Sequence, residues 1–364
     1  MTRSLASQRA ANYRKNGAEW YGNFTYTPIA GLGPEVGIHR RDPSSVLLVD
    51  DLYYVYYTRS AGPHFGRQSA GAGRAKLYPW DFADIYYATS LDGIVWQEQG
   101  PSVQRGPKGS FDARTVCTPD VLEYEGKFYM VYQTQSDKAS YFTGRSESVG
   151  MAIADKPAGP WRKFREEILT PMENGDWFGN DDSYNSGTFV GVTHDPSLYF
   201  YKGAFWLYYK CGSAADAVSG VNPHKHSGPD TRWGVATSVR PEGPYTHSPL
   251  NPITNSGHET MLWHYNGGIA ALLNRDGPEQ DTIQWAADGV SFELMAHVNN
   301  TPQGGGAFRS GEEEAHPLAG IQWGLCHLDQ RAEKWNCLMR FDLDPRQSNR
   351  VGSGYPASNV ASLF

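Results

Sequence analysis

One pattern occurs four times along the chain and limits the folds it can adopt. In its clearest form, residues 37–58, a polar stretch with an acid and a proline leads into an apolar run, a two-residue turn and an aromatic run. Two apolar runs separated by such a turn predict an antiparallel β-hairpin. Similar segments span residues 117–132, 193–209 and 257–272. The chain is therefore expected to be a repeated β structure.

Each of these segments places an acidic residue near the start of its first strand. The four acids are Asp42, Asp120, Asp195 and Glu259. They recur at intervals of about 65–80 residues, and a further strand pair follows each hairpin, which is typical of propeller blades. A fifth unit fits residues 304–343, with strands near 320–328 and 334–341. We therefore predict an all-β fold, a five-bladed β-propeller domain over residues 31–345.

The two ends of the chain differ from the repeats. Residues 4–15 are rich in Ala, Arg and Gln, which favours a helix with Ser4 as its N-cap and Gly17 as its stop. A short second helix is expected around residues 18–21. Residues 1–30 are thus predicted to be a helical arm that packs either on its own domain or on a second subunit, and residues 346–364 a C-terminal tail.

Composition excludes several classes of protein. The net charge of −7 argues against a nucleic-acid or anionic-membrane partner. No apolar run approaches the ~18 residues of a membrane helix, and the N-terminus lacks the apolar core of a secretion signal. We expect a soluble, cytoplasmic protein, with a periplasmic location left open. The cysteines form no CxxC pair; Cys326 and Cys337 could face each other across a hairpin, but reduced thiols are the preferred interpretation.

The repeated acids suggest a chemical function. The inner strands of a propeller begin around one mouth, so acids at that position would share a cavity and shift one another's pKa values. Two carboxyl groups on either side of a bond suit glycoside hydrolysis, and a gap of ~6.5–9.5 Å between them favours inversion. Long insertions would shape this pocket, and they span residues 61–79, 135–148, 171–192 and 211–232.

Structural interpretations compete with each functional one. An Asp before Pro-Ser is often only a turn cap, and His194 would hydrogen-bond its neighbours. Trp80 is either a core residue or a platform for a sugar ring. His224 and His226 fit a solvated loop better than a metal site, and residues 312–314 fit an exposed acidic face.

Several segments resemble glycoside hydrolase family 117. Ser4, Ala6 and Arg9 match its SxAxxR signature, while residues 41–44, 193–197 and 257–259 resemble its active-site segments. The resemblance implies a five-bladed propeller whose N-terminal arm exchanges between the subunits of a homodimer. It also implies an exo-acting α-1,3-(3,6-anhydro)-L-galactosidase, which removes terminal 3,6-anhydro-L-galactose from neoagarobiose and related agar fragments.

The resemblance also assigns roles to residues. Asp42 would be the base that activates water, and Asp195 would orient the sugar and tune the acid. His258 is favoured over Glu259 as the proton donor, because an imidazolium has a pKa near working pH. Candidate substrate contacts are Trp80, Thr118, Asp120, Gln133 and His194. No cofactor is expected; some members hold a cation near the pocket, but no ligand spacing is evident here.

Two alternatives remain at this point. One is an arabinofuranosidase or xylosidase like those of related five-bladed families. The other is a carbohydrate-binding propeller without catalytic activity.

Overall fold

The computed structural model describes residues 21–65, 76–137, 147–171, 193–212, 231–275, 277, 279–309, 319–328 and 335–344. Within these ranges it contains β-strands and one 3-10 turn, Ala319–Ile321, and no α-helix, so the all-β prediction is confirmed for them. None of the described helical structure is long and apolar enough to cross a bilayer. Most of the helical arm, the C-terminal tail, His224, His226 and residues 312–314 lie outside the described residues.

The described ranges contain twenty-one strands. They are β1 (Tyr21–Pro28), β2 (Ile38–Arg41), β3 (Leu47–Val49), β4 (Leu52–Ala61), β5 (Asp84–Ser90), β6 (Trp96–Val103), β7 (Thr115–Tyr124), β8 (Lys127–Gln135), β9 (Glu147–Ala154), β10 (Arg162–Lys163), β11 (His194–Tyr201), β12 (Ala204–Gly212), β13 (Thr231–Ser238), β14 (Thr246–His247), β15 (Met261–Tyr265), β16 (Gly268–Leu273), β17 (Thr282–Ala286), β18 (Glu293–Asn299), β19 (Gly305–Ala307), β20 (Trp323–Leu328) and β21 (Cys337–Asp344).

These strands form four sheets. Strands β2–β6, β7–β10 and β11–β14 make three sheets of consecutive, antiparallel neighbours. The fourth sheet has eight strands in the order β15-β16-β17-β18-β1-β21-β20-β19. It consists of two antiparallel groups of four that join where β1 runs parallel to β18, from Tyr21↔His297 to Asn23↔Asn299.

Strand β1 corrects the boundary of the predicted arm. Residues 21–28 lie within the range assigned to a helical arm, and Tyr21 was expected to end a short helix. Instead, β1 pairs with β21 over six residues, from Asn23↔Asp344 to Pro28↔Met339. Phe24 is fully buried and packs edge-on against Phe341, with ring centroids 5.7 Å apart. Burying a ring of this size contributes about 1.5–3 kcal/mol, which anchors the segment in the sheet.

The four predicted hairpins are observed, and their turns share one geometry. Both central residues have positive φ in each turn, as type I′ turns require. The φ values are 50° and 61° at Asp50-Asp51, 49° and 71° at Glu125-Gly126, 50° and 74° at Lys202-Gly203, and 46° and 65° at Asn266-Gly267. Because these turns match the right-handed twist of the strands, the local sequence fixes the register of each hairpin.

The first strands of the four hairpins, β3, β7, β11 and β15, are here called inner strands, and the backbone near the starts of the first three shares one conformation. Asp42, Thr118 and Asp195 have φ of 47°, 48° and 46°, and each precedes a proline. Thr118 is thus the structural counterpart of the two aspartates, and the prediction that Asp120 takes this place is wrong. Asp120 lies two residues further along β7, beyond an irregularity in the pairing of β7 with β8.

Hydrophobic side chains fill the spaces between neighbouring sheets. Between the β7–β10 and β11–β14 sheets, for example, Val131, Met151, Leu198 and Leu207 are fully buried in one cluster. The backbone at Gly306 approaches the backbone at Ser44 closely, and only glycine allows this: a Cβ at position 306 would lie 1.9 Å from the Ser44 carbonyl oxygen. This packing holds the starting ends of the inner strands close to one another.

Candidate active site

The starting ends of the inner strands surround one pocket of about 370 Å³, a volume that includes its open mouth. Four acids line it, namely Asp42, Asp120, Asp195 and Glu259, together with Thr118 and the glycines at 304–306. His258 adjoins the pocket through its neighbour, with Nε2 3.8 Å from Oε1 of Glu259. The predicted convergence of these segments on one cavity is therefore observed.

Asp42 is buried between a histidine and an arginine. His327 Nδ1 lies 3.1 Å from Asp42 Oδ1, and an Arg41 Nη atom lies 3.7 Å from the same oxygen. Burial alone would raise the pKa of Asp42, but the Arg41 charge and the His327 hydrogen bond outweigh it and lower the pKa below its usual value. Asp42 is therefore a carboxylate at neutral pH, the form that can accept a proton.

Glu259 is also held as a carboxylate. The side-chain amide of Asn274 donates to Glu259 Oε2, and the Asn274 oxygen accepts from the His258 backbone N–H at 2.9 Å. Burial would raise the pKa of Glu259, but the positive charges of His258 and Arg275 reverse this and hold the pKa well below its usual range. A carboxyl group that stays ionised is a poor proton donor.

Asp195 forms a buried ion pair with Lys210, which lies on β12. Burial opposes the charge on Lys210, but the carboxylates of Asp195 and Glu259 outweigh burial and raise its pKa. Lys210 is thus an ammonium group beside two acids of the pocket. The Asp195 backbone carbonyl also accepts a hydrogen bond from the Thr260 hydroxyl, which links two inner strands.

His194 contacts Glu147 instead of lining the pocket. Burial raises the pKa of Glu147 to about 8 and lowers the pKa of His194 well below its usual value. The physical consequence is a neutral pair in which Glu147 holds the proton and His194 accepts it. The position of His194 agrees with the expectation that it hydrogen-bonds its neighbours.

Asp120, which lines the pocket, forms an ion pair with Arg309. Asp120 Oδ2 accepts from the Ser197 hydroxyl at 2.6 Å and from an Arg309 Nη atom at 2.7 Å, while Oδ1 accepts from the Ser45 N–H at 3.3 Å. The Arg309 guanidinium lies 4.2 Å from the centre of the Tyr199 ring. Asp120 therefore links β7 to β11 and to the segments that precede β3 and follow β19.

The remaining candidate substrate contacts have different positions. Thr118 lines the pocket, and its N–H donates to the Thr58 hydroxyl at 2.8 Å. Trp80 is half-buried, stacks on Tyr78 at 4.7 Å and lies 5.2 Å from the Arg41 guanidinium. Gln133 is buried within β8 and is absent from the pocket lining.

Three charged neighbours of the acids did not stand out in the sequence: His327, Lys210 and Arg309. A weak signal existed for Lys210, a charge directly after the buried apolar run of β12. His327 similarly sits in the buried strand β20. Across the described ranges, no group of three or more His, Cys, Asp or Glu side chains could hold a metal ion. The described cysteines Cys117, Cys326 and Cys337 are free thiols.

No protein-family model and no curated protein matches the chain. A solved structure does: a family 117 glycoside hydrolase produced by the marine bacterium Zobellia galactanivorans. The match covers 95% of this chain and 99% of that one, with 32% sequence identity and a TM-score of 0.77. The chain belongs to glycoside hydrolase family 117.

More distant structures share the fold of this family 117 member. A family 43 β-xylosidase/α-arabinofuranosidase from a compost metagenome matches 88% of this chain and 94% of its own, with 15% identity and a TM-score of 0.52. A sucrose-6-phosphate hydrolase from Lactobacillus gasseri matches 92% and 62%, with 13% identity and a TM-score of 0.56. At these identities the likeness concerns the propeller-like fold alone.

Proposed function

We propose that this family 117 member is a five-bladed propeller that removes terminal 3,6-anhydro-L-galactose from neoagarobiose and longer neoagarooligosaccharides by cleaving the α-1,3 linkage. Four blades correspond to the four inner hairpins, and the fifth is built from β19, β20, β21 and β1. The observation that carries the proposal is the meeting of Asp42, Asp195 and Glu259 in one pocket.

The proposed reaction needs a base and an acid on two sides of the glycosidic bond. Asp42 is the base, since its lowered pKa keeps it ready to take a proton from the attacking water. Glu259 stays ionised, so we assign proton donation to His258, whose Nε2 lies 3.8 Å from the Glu259 carboxylate. Asp195 orients the sugar, and Lys210 holds the Asp195 carboxylate in place.

The resemblance of residues 41–44, 193–197 and 257–259 to the active-site segments of family 117 supports exo action, on the end of a sugar chain. Trp80, which is half-buried beside Arg41, remains a candidate contact with the sugar.

We also propose a homodimer, in which residues 1–20 of each chain reach the other subunit. The match of Ser4, Ala6 and Arg9 to the SxAxxR signature of family 117 supports this.

A product assay tests the proposed activity. The protein is incubated with neoagarobiose and, separately, with an aryl α-L-arabinofuranoside, and released monosaccharide is identified by chromatography and early-time proton NMR. We expect 3,6-anhydro-L-galactose with inverted configuration from neoagarobiose only. Asp42→Asn serves as the matched control and should lower kcat/KM by about 10²–10⁴-fold while leaving the melting temperature nearly unchanged.

Other outcomes of this assay reject the proposal. Release of arabinose alone would indicate a furanosidase, and retention of configuration would exclude Asp42 as a base. Measurable sugar binding without any product would indicate a carbohydrate-binding protein. Wild-type turnover by Asp42→Asn would remove Asp42 from the mechanism.

A further inference from the structure

His327 reaches Asp42 from a distant part of the sequence. It lies on β20, only 2% of its side chain is exposed, and 285 positions separate it from Asp42. Its Nδ1 atom is 3.1 Å from Asp42 Oδ1 and 3.3 Å from the Asp42 backbone nitrogen. The imidazole thus contacts both the side chain and the main chain of the same residue.

One ring nitrogen cannot serve both contacts in the same way. To accept from the Asp42 N–H, Nδ1 must lack a proton; to bind the carboxylate, which only accepts, Nδ1 must carry one. An ionised Asp42 therefore favours the Nδ1–H form, in which the proton points to Oδ1. Because this bond occupies Oδ1, the other carboxylate oxygen remains for a water in the pocket.

Gly304 makes room for this arrangement. A Cβ atom at position 304 would lie 2.1 Å from Cε1 and 2.2 Å from Nδ1 of His327, and 2.9 Å from Asp42 Oδ1. The glycine also has φ of 47°, which L side chains rarely adopt. The imidazole therefore occupies the space that any side chain at this position would need.

The other charged groups around Asp42 hold it less directly. Arg41 lies 3.7 Å away, beyond hydrogen-bond distance, and shares its guanidinium with the Trp80 ring. Glu259 faces Asp42 from the segment before β15 and opposes its charge, while the Cys117 thiol on β7 is a neutral neighbour whose own pKa is raised by burial. His327, by contrast, lies within hydrogen-bond distance of the Asp42 carboxylate.

We propose that His327 is a positioning residue, which fixes the Asp42 carboxylate through Nδ1–H so that one oxygen faces the attacking water, and that Gly304 is required as the seat of its ring. The inference rests on the proposed role of Asp42 as base. It adds a residue from β20 and one from just before β19 to the residues that act in the pocket.

Two substitutions separate positioning from mere packing. His327→Asn keeps an N–H donor close to the place of Nδ1, whereas His327→Leu keeps the bulk and removes the donor. With neoagarobiose as the probe, we expect His327→Leu to lower kcat about 10²-fold with little change in KM, and His327→Asn to retain most of kcat. His247→Asn, at a histidine that bonds Tyr209 and the Thr170 carbonyl far from the pocket, is the matched control and should behave as wild type.

The pH profile adds an independent readout. Losing the donor should raise the pKa of Asp42 in His327→Leu and shift the acid limb of kcat/KM upward accordingly. Carbon-13 NMR of the Asp42 carboxyl measures the same shift without any substrate. Gly304→Ala should reproduce the loss of kcat, since the methyl group displaces the ring.

The outcomes distinguish this inference from the proposed activity. If the wild type hydrolyses neoagarobiose but Leu and Asn variants lose equal activity with unchanged Asp42 titration, His327 only packs and the inference is wrong. If the wild type releases no sugar, the proposed function fails, yet the NMR titration still decides whether His327 holds Asp42. A normal titration in His327→Leu would overturn the positioning role in either case.

Discussion

Removing the charge of Lys210 should produce a pH-dependent loss of stability. The side chains of Lys210 and Asp195 are 8% and 9% exposed, and they pair with each other in the pocket wall. Lys210→Met retains the aliphatic stem but leaves Asp195 buried near Glu259 without its cation. Breaking a buried ion pair in this way typically costs about 3–5 kcal/mol.

The ability of Asp195 to take up a proton sets a ceiling on this cost. The unfolded-state pKa of an Asp is about 3.9, and protonating the carboxyl costs about 1.4 kcal/mol for each pH unit above that value. The loss of stability in the variant is therefore at most about 4 kcal/mol at pH 7 and about 1.5 kcal/mol at pH 5. Burial already raises the folded-state pKa of Asp195 in the wild type although Lys210 lowers it, and the loss of Lys210 should raise it further above the unfolded value. The free energy of unfolding of the variant, relative to that of the wild type, therefore falls as pH rises from about 4 towards 7.

Urea unfolding at pH 5 and pH 7 measures both values. Lys202→Met is the matched control, because Lys202 is exposed in the β11–β12 turn; it should change the free energy of unfolding by less than about 0.5–1 kcal/mol. The double variant Lys210→Met/Asp195→Asn should recover much of the loss, since no unpaired charge remains. A loss below about 1 kcal/mol at pH 7, or an equal loss at both pH values, would refute the buried-pair reasoning.

Two further predictions concern the proton donor and the arm. His258→Ala should reduce kcat by about 10²–10⁴-fold, whereas Glu259→Gln should reduce it much less; the reverse pattern would assign the donor to Glu259. Deleting residues 1–16 should convert a dimer into monomers in light scattering, and a dimer that survives the deletion rejects the exchanged arm.

Local sequence was sufficient to predict the hairpins and the meeting of the acids. Type I′ turns need residues that tolerate positive φ, and Asp50-Asp51, Lys202-Gly203 and Asn266-Gly267 carry that signal within two positions. Once each hairpin starts with an acid, a circular arrangement of repeats brings the acids together. These inferences need no knowledge of distant contacts.

The failures came from two sources. Charge alone matches Asp120 with Asp42 and Asp195. The proline after Thr118 repeats the prolines after Asp42 and Asp195, and it gives the correct register. Strand β1 and the partner His327 depend on long-range pairing: Thr25, for example, bonds to Asp342, 317 positions away. Nothing local distinguishes such a strand from an arm, or a buried histidine from a packing residue.

The join made by β1 has a consequence for how the protein is made. The carboxylate at position 42 emerges from the ribosome early, but its histidine partner follows 285 residues later, or roughly 15–60 s at ordinary rates of synthesis. Until β20 and β21 have been made, β1 lacks its antiparallel partner β21 and the two residues cannot meet. A nascent or truncated chain therefore lacks a working pocket, and any hydrolytic capacity should arise only at the last stage of folding.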